Sequence, residues 1–148
     1  MVLSFRGTAH PPPGHSDPDV ANLSAAEIAT TDLGRNGGTP LLFEHNSGQV
    51  VGRVDASWEG TRGELRVAGV INDARTEASV RSGRNRGLSL GTDVIQDEFG
   101  NAIYKGQAEL SVCQEPRRRG SYIDTLDGQS VLSKRHFSKR VPLSPARP

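Results

Sequence analysis

The sequence predicts an α+β domain: a small, mostly antiparallel β-barrel with a few peripheral helices. Three observations predict it. Six short strand-like runs alternate with turns rich in Gly, Pro, Asn and Asp. Two stretches between them carry helix start and stop signals. The composition, 34% hydrophobic and 5% aromatic in 148 residues, leaves a modest core to Val, Leu and Ile, and the length suits a single domain.

Val2 to Ala9 alternates weakly and meets Pro11-Pro12-Pro13-Gly14, a first strand followed by a hard stop. In Leu23-Ser24-Ala25-Ala26-Glu27-Ile28 the Ser and Glu have capping-box spacing, so a short helix is expected to about Leu33, closed by Gly34 or by Gly37-Gly38. Val50 to Ala56 and Glu64 to Ile71 form two strand-like runs around Glu59-Gly60-Thr61-Arg62-Gly63 and predict a hairpin. Asn72-Asp73 opens a Gly-free stretch that runs to Arg81 and is closed by Gly83, a second helix with an Asn-Asp start and a Gly end. Gly87 to Gln96 is expected as a strand, Asp97 to Asn101 as a turn, Ala102 to Cys113 as a longer strand and Arg118 to Ile123 as a last one.

Charge is nearly balanced over the whole chain, 18 Lys+Arg against 17 Asp+Glu, but unevenly distributed. Residues 131–148 hold five cations, Lys134, Arg135, Lys139, Arg140 and Arg147, and no acid. The expected organisation is therefore a folded domain over 1–130 and a basic tail over 131–148 whose prolines and serines are those of disordered chain. No run approaches the roughly 18 apolar residues of a membrane helix, and the N-terminus lacks a secretory signal pattern. A soluble, non-secreted protein with no membrane partner is expected. One cysteine makes no internal disulfide and supplies no structural zinc site, and nothing in the sequence calls for a metal or organic cofactor.

Three places carry chemistry. An apolar run, Pro40-Leu41-Leu42-Phe43, delivers Glu44-His45 to the turn Asn46-Ser47-Gly48, with His45 expected immediately before that turn. In Gly87-Leu88-Ser89-Leu90-Gly91 the serine faces away from both leucines, and the glycines allow another backbone or a substrate to come close. The string also matches G-x-S-x-G, the nucleophile elbow of α/β-hydrolases. That reading fails, because Thr92-Asp93-Val94-Ile95 continues as strand where the elbow needs a helix, and the required order would recruit His136 from the tail. In Ala108-Glu109-Leu110-Ser111-Val112-Cys113, Leu110 and Val112 face one way and Glu109, Ser111 and Cys113 the other.

Each place alone has a plainer reading: a strand-end histidine, a Gly-Ser strand pair, a solvated carboxylate. Acyl transfer, however, needs a hydroxyl, an imidazole to take its proton, and an acceptor on the far ring nitrogen. Ser89, His45 and Glu109 supply those three groups. Pro116-Arg117-Arg118-Arg119-Gly120 follows the Glu109 strand and offers backbone N–H groups and guanidinium charge to a developing oxyanion.

Leu41-Leu42-Phe43-Glu44-His45-Asn46 with Val51-Gly52-Arg53-Val54, then Gly87-Leu88-Ser89-Leu90, then Cys113 with Arg117-Arg118-Arg119-Gly120, resemble the histidine, nucleophile and arginine motifs of the herpesvirus assembly proteases, the assemblins. Glu109 stands where that pattern has a second histidine. There Glu109-Leu110-Ser111-Val112 with Pro116 is similar to the prohead maturation proteases of tailed phages, whose triad resembles Ser-His-Glu. The resemblance covers about residues 1–125. It implies Ser89 as nucleophile, His45 as general base and acid, and Glu109 as the orienting third member. Arg117 matches the backbone oxyanion donor and Arg118 the arginine that holds a water for the same purpose, while Cys113 matches a buried cysteine without required chemistry.

The implied activity is serine endopeptidase cleavage of a capsid scaffold protein or of the chain's own precursor, inside an assembling viral capsid in the host cytoplasm or nucleus. A second copy of the chain is the implied further partner. The spacing from His45 to Ser89 is shorter than in the herpesvirus enzymes, so helices that shape their substrate groove and dimer interface are expected to be missing. Two rival readings use the same residues: a non-catalytic barrel acting as a capsid or scaffold interaction module, and a nucleic-acid binder using Arg117 to Arg119 and the basic tail. An acidic body and seven aromatic residues in all count against the second.

Overall fold

A computed structural model describes residues 2–14, 22–96 and 102–131. In chain order these form β1 (Leu3–His10), α1 (Ala25–Thr30), one turn of 3-10 helix (Arg35–Gly37), β2 (Thr39–Phe43), β3 (Asn46–Glu59), β4 (Leu65–Ile71), α2 (Ala74–Ser82), β5 (Gly87–Gln96), β6 (Ala102–Cys113), β7 (Ile123–Leu126) and β8 (Gln129–Ser130). The eight strands make one sheet in the order β5-β6-β2-β3-β4-β1-β7-β8. Its pairs are antiparallel except β2 with β6, which run parallel.

The sheet curls until its two sides approach. Leu88 N–H donates to the Ser121 carbonyl at 2.9 Å, Ile123 N–H to the Arg86 carbonyl at 2.8 Å, and Thr8 N–H to the Tyr122 carbonyl at 3.0 Å. Residues 121–123 thus tie β5 to β1. Gly7 sits at this seam, where a Cβ would stand 2.6 Å from the Tyr122 carbonyl oxygen, so a side chain there would hold the seam open.

Alternation decides what lies inside. Along β4, Leu65, Val67, Gly69 and Ile71 are buried and the residues between them only partly so. β5 and β6 add Leu88, Leu90, Leu110 and Val112, while Ile28 of α1 and Val80 of α2 close the same cluster. The described core is aliphatic apart from Phe5, and each large aliphatic side chain removed from water contributes about 1.5–3 kcal/mol.

Both helices form where their caps require. In α1, Glu27 N–H donates to Ser24 Oγ at 3.2 Å and Ser24 N–H to Glu27 Oε1 at 2.8 Å. In α2, Asp73 accepts the Thr76 N–H at 3.0 Å, and Gly83 ends the helix with φ 90°.

Three expectations need correction. Helix α1 stops at Thr30 rather than Leu33, because Thr31 turns extended and the Leu33 N–H is taken by Ser57 Oγ at 2.8 Å, which draws Leu33 into the core. Thr39–Phe43, expected only as an apolar run, is a strand between β3 and β6. Residues 118–122 form a loop with a single bridge, Gly87 to Tyr122, and the next strand starts at Ile123. Strand alternation is weak in both short segments, and pairing with neighbouring strands decides them. The turn at 97–101 and the tail beyond Val131 lie outside the described residues.

Candidate active site

β6 lies between β5 and β2, and the three strands bring the chemically marked residues together. Across β5 and β6, Ser89 stands opposite Ser111 and Gly91 opposite Glu109. Across β2 and β6, Leu42 pairs with Ser111 and Phe43 with Val112. Leu88 and Leu90 point into the core, so Ser89 points to the other face; the same parity sets Glu109 and Ser111 apart from buried Leu110 and Val112.

β2 ends over this face in a two-residue turn. Glu44 has φ 51° and His45 φ 61°, a pair of left-handed residues between Phe43 and Asn46, which are themselves paired. Positive φ at both positions is the type I′ pattern that normally selects Asn and Gly; residues with a Cβ cost of order 1 kcal/mol or more each there. Anchors to β6 and the loop after it offset this. Glu44 N–H donates to the Val112 carbonyl at 2.9 Å, His45 N–H donates to Ser111 Oγ at 3.0 Å, and Glu44 Oε2 accepts the Gln114 N–H at 3.1 Å. His45 therefore sits inside the turn and not before it, with Asn46 already in β3. The Asn-Ser-Gly string marks a turn in sequence, but the anchors to β6, which no local pattern reveals, move the turn two residues earlier.

The imidazole bridges the two neighbouring side chains. His45 Nε2 lies 2.9 Å from Ser89 Oγ, and His45 Nδ1 is hydrogen-bonded to Glu109 Oε1. A carboxylate only accepts, so the ring donates from Nδ1 to Glu109, and in the neutral ring Nε2 is then the acceptor for the Ser89 hydroxyl. Ser111 Oγ stands 3.3 Å from Nδ1. Ser89 is 4% exposed, whereas the His45 and Glu109 side chains are 38% and 27% exposed. The hydroxyl is thus nearly buried, and the ring and carboxylate border solvent.

Arg118 is buried at 4% exposure, and its Nη1 donates to the Leu90 carbonyl at 2.8 Å, one residue from Ser89 on the same strand. Burial, with Arg117 nearby, holds its guanidinium below the ordinary arginine value. Arg117 and Arg119 are exposed. Cys113 is buried at the end of β6, and burial, reinforced by the Glu44 and Glu115 charges, pushes its thiol up to about 12. Among the described residues no three His, Cys, Asp or Glu side chains gather as a metal ion would need.

Ser111 and Gly91 escaped sequence reasoning as members of this site. Parity marked Ser111 as sharing a face with Glu109, and that was the available signal. Gly91 is marked in the sequence only as a glycine beside Ser89 that allows a close approach, with nothing to name Glu109 as the group that approaches.

No protein-family model matches the chain, and no curated protein matches it. Solved structures do. The protease of Kaposi's sarcoma-associated herpesvirus in complex with a hexapeptide phosphonate inhibitor superposes with a TM-score of 0.61 at 16% identity, over 83% of this chain and 64% of that one. The chain thus spans 64% of that protease's length. The same viral protease in complex with a dimer disruptor gives 0.56 at 16%, over 94% and 87%. Varicella-zoster virus protease gives 0.53 at 15%, over 100% and 78%. The curled, mostly β sheet with two helices is the fold of the herpesvirus assembly proteases, and this chain has that fold.

Proposed function

We propose that the chain is a serine endopeptidase whose reaction runs through Ser89, His45 and Glu109. The observation that carries the proposal is the hydrogen-bonded series from Ser89 Oγ through both nitrogens of His45 to Glu109. In that series His45 Nε2 takes the hydroxyl proton as Ser89 Oγ attacks a peptide carbonyl. Glu109 holds the ring in the required tautomer and stabilises the imidazolium that forms. The protonated ring then gives its proton to the leaving amine, an acyl-enzyme remains on Ser89, and water releases it by the reverse sequence. Arg118, tied to Leu90 beside the nucleophile, and the Arg117 backbone N–H are assigned to the tetrahedral oxyanion.

The motif resemblance directs the substrate assignment to a capsid scaffold protein or the chain's own precursor, cut inside an assembling viral capsid in the host cytoplasm or nucleus. A homodimer is the proposed assembly. The domain is assigned to residues 1–130 and the basic segment 131–148 to a linker or processing region.

Fluorophosphonate labelling followed by peptide mapping tests the chemistry. The label is expected on Ser89 in the natural chain and absent in Ser89→Ala, with strongly slowed labelling in His45→Ala. A natural chain that leaves Ser89 unlabelled overturns the proposal and favours the non-catalytic interaction module.

A further inference from the structure

Ser111 touches the histidine at two points. Its Oγ accepts the His45 backbone N–H at 3.0 Å and stands 3.3 Å from His45 Nδ1. The residue is fully buried in the middle of the three strands that build the site, opposite Ser89 on one side and beside Leu42 on the other. Two conditions must hold for Nε2 to meet Ser89. The backbone of His45 must keep its left-handed φ of 61°, and the ring must keep its proton on Nδ1. Glu109 acts only on the second, from a side chain that is 27% exposed. Ser111 acts on both, from a position water does not reach. One hydroxyl oxygen carries two lone pairs, enough to accept from both donors.

The geometry points to Ser111 as a positioning residue for His45, which anchors the strained turn through the backbone N–H and serves as a second acceptor for the Nδ1 proton beside Glu109. The inference rests on the serine-protease proposal for its consequence in turnover, though not for its effect on the ring. At 3.3 Å the side-chain contact is longer than an ordinary N–H···O hydrogen bond, so Ser111 supplements the carboxylate. Its weight rises when Glu109 is lost, because it then becomes the remaining Nδ1 acceptor on this face.

The test uses Ser111→Ala in the natural chain and in a Glu109→Ala background, read in two ways. Nitrogen chemical shifts of the His45 ring in the resting protein report the tautomer. Ser111→Ala is expected to shift population from Nδ1–H toward Nε2–H. Ser89 labelling and peptide turnover report the consequence: a fall of about tenfold to 100-fold in kcat with KM little changed, and a larger fall in the Glu109→Ala background than in the natural chain. A merely structural role would leave the tautomer alone and lower both backgrounds equally. If the alanine variant fails to fold, Ser111→Cys keeps the volume with a weak sulfur acceptor, and both readings apply to it. An unmoved tautomer together with equal effects in the two backgrounds overturns the inference. The tautomer measurement needs no hydrolysis, so absence of labelling in the natural chain sinks the protease proposal while the ring still decides the role of Ser111.

Discussion

Gly91 stands opposite Glu109 across β5 and β6, and a Cβ at Gly91 would lie 2.8 Å from Glu109 Cγ and 3.2 Å from its Oε1. The glycine two residues after Ser89 therefore makes room for the carboxylate that meets His45. At Gly87, its partner in the same string, a Cβ would lie 2.8 Å from Pro116 Cδ and 2.9 Å from the Cys113 carbonyl oxygen, so the glycine lets the start of the arginine-bearing loop pack onto β5.

Gly91→Ala should consequently displace Glu109 from His45 while leaving the sheet intact. A displacement of about 1 Å at a reacting group costs up to 100-fold in rate, and kcat on a peptide substrate is expected to fall by about that factor with only a small change in melting temperature. Unchanged kcat in a folded variant would show that the carboxylate has room to spare.

Glu109→Gln keeps the size of the side chain and removes its charge. The amide can donate to Nδ1, which favours the tautomer with the proton on Nε2, and neither the Ser89 proton nor the imidazolium is then well served. Turnover should drop by about four orders of magnitude with folding intact by circular dichroism. Cleavage at the natural rate would remove Glu109 from the mechanism.

Cys113 should be inert in the folded chain. With burial holding the thiol up to about 12, the thiolate that reacts with alkylating agents is scarce near neutral pH. Iodoacetamide at pH 8 is expected to leave the native protein unmodified on a timescale that fully alkylates the urea-unfolded chain, as read by intact mass. Equal rates in the two states would contradict the burial of the β6 end.

Acid should weaken the fold through two carboxylates. Asp73 is held below the ordinary carboxylate range by the Thr76 hydroxyl and N–H, and Asp127 by the Ser4 N–H and then Arg81. Each folded-state value lies below the unfolded one, so the stability each contributes is fully present above about pH 4. It is lost as pH falls through the lower folded values. The urea midpoint measured from pH 7 to pH 2 should decline in the acid range, and less steeply in an Asp73→Asn, Asp127→Asn double variant. Identical slopes would place the acid sensitivity elsewhere.

Sequence by itself determined the α+β class, both helix starts, the hairpin around residues 59–63 and the choice of Ser89, His45 and Glu109 as the three side chains that meet in one hydrogen-bonded series. Each is written in a local pattern: the Ser24–Glu27 spacing, the Asp73 and Gly83 ends, the alternation through 65–71, and parity in 87–91 and 109–113. Tertiary structure alone decided the strand character of Thr39–Phe43, the early end of α1 and the place of His45 inside its turn. It also decided that Gly91 clears space for Glu109 and that Ser111 accepts from His45. The physical reason is common to all of these. Each depends on a hydrogen bond or a close approach between residues tens of positions apart, such as His45 with Ser111 or Leu33 with Ser57. Local propensity has no term for the partner that satisfies a backbone N–H from across the sheet.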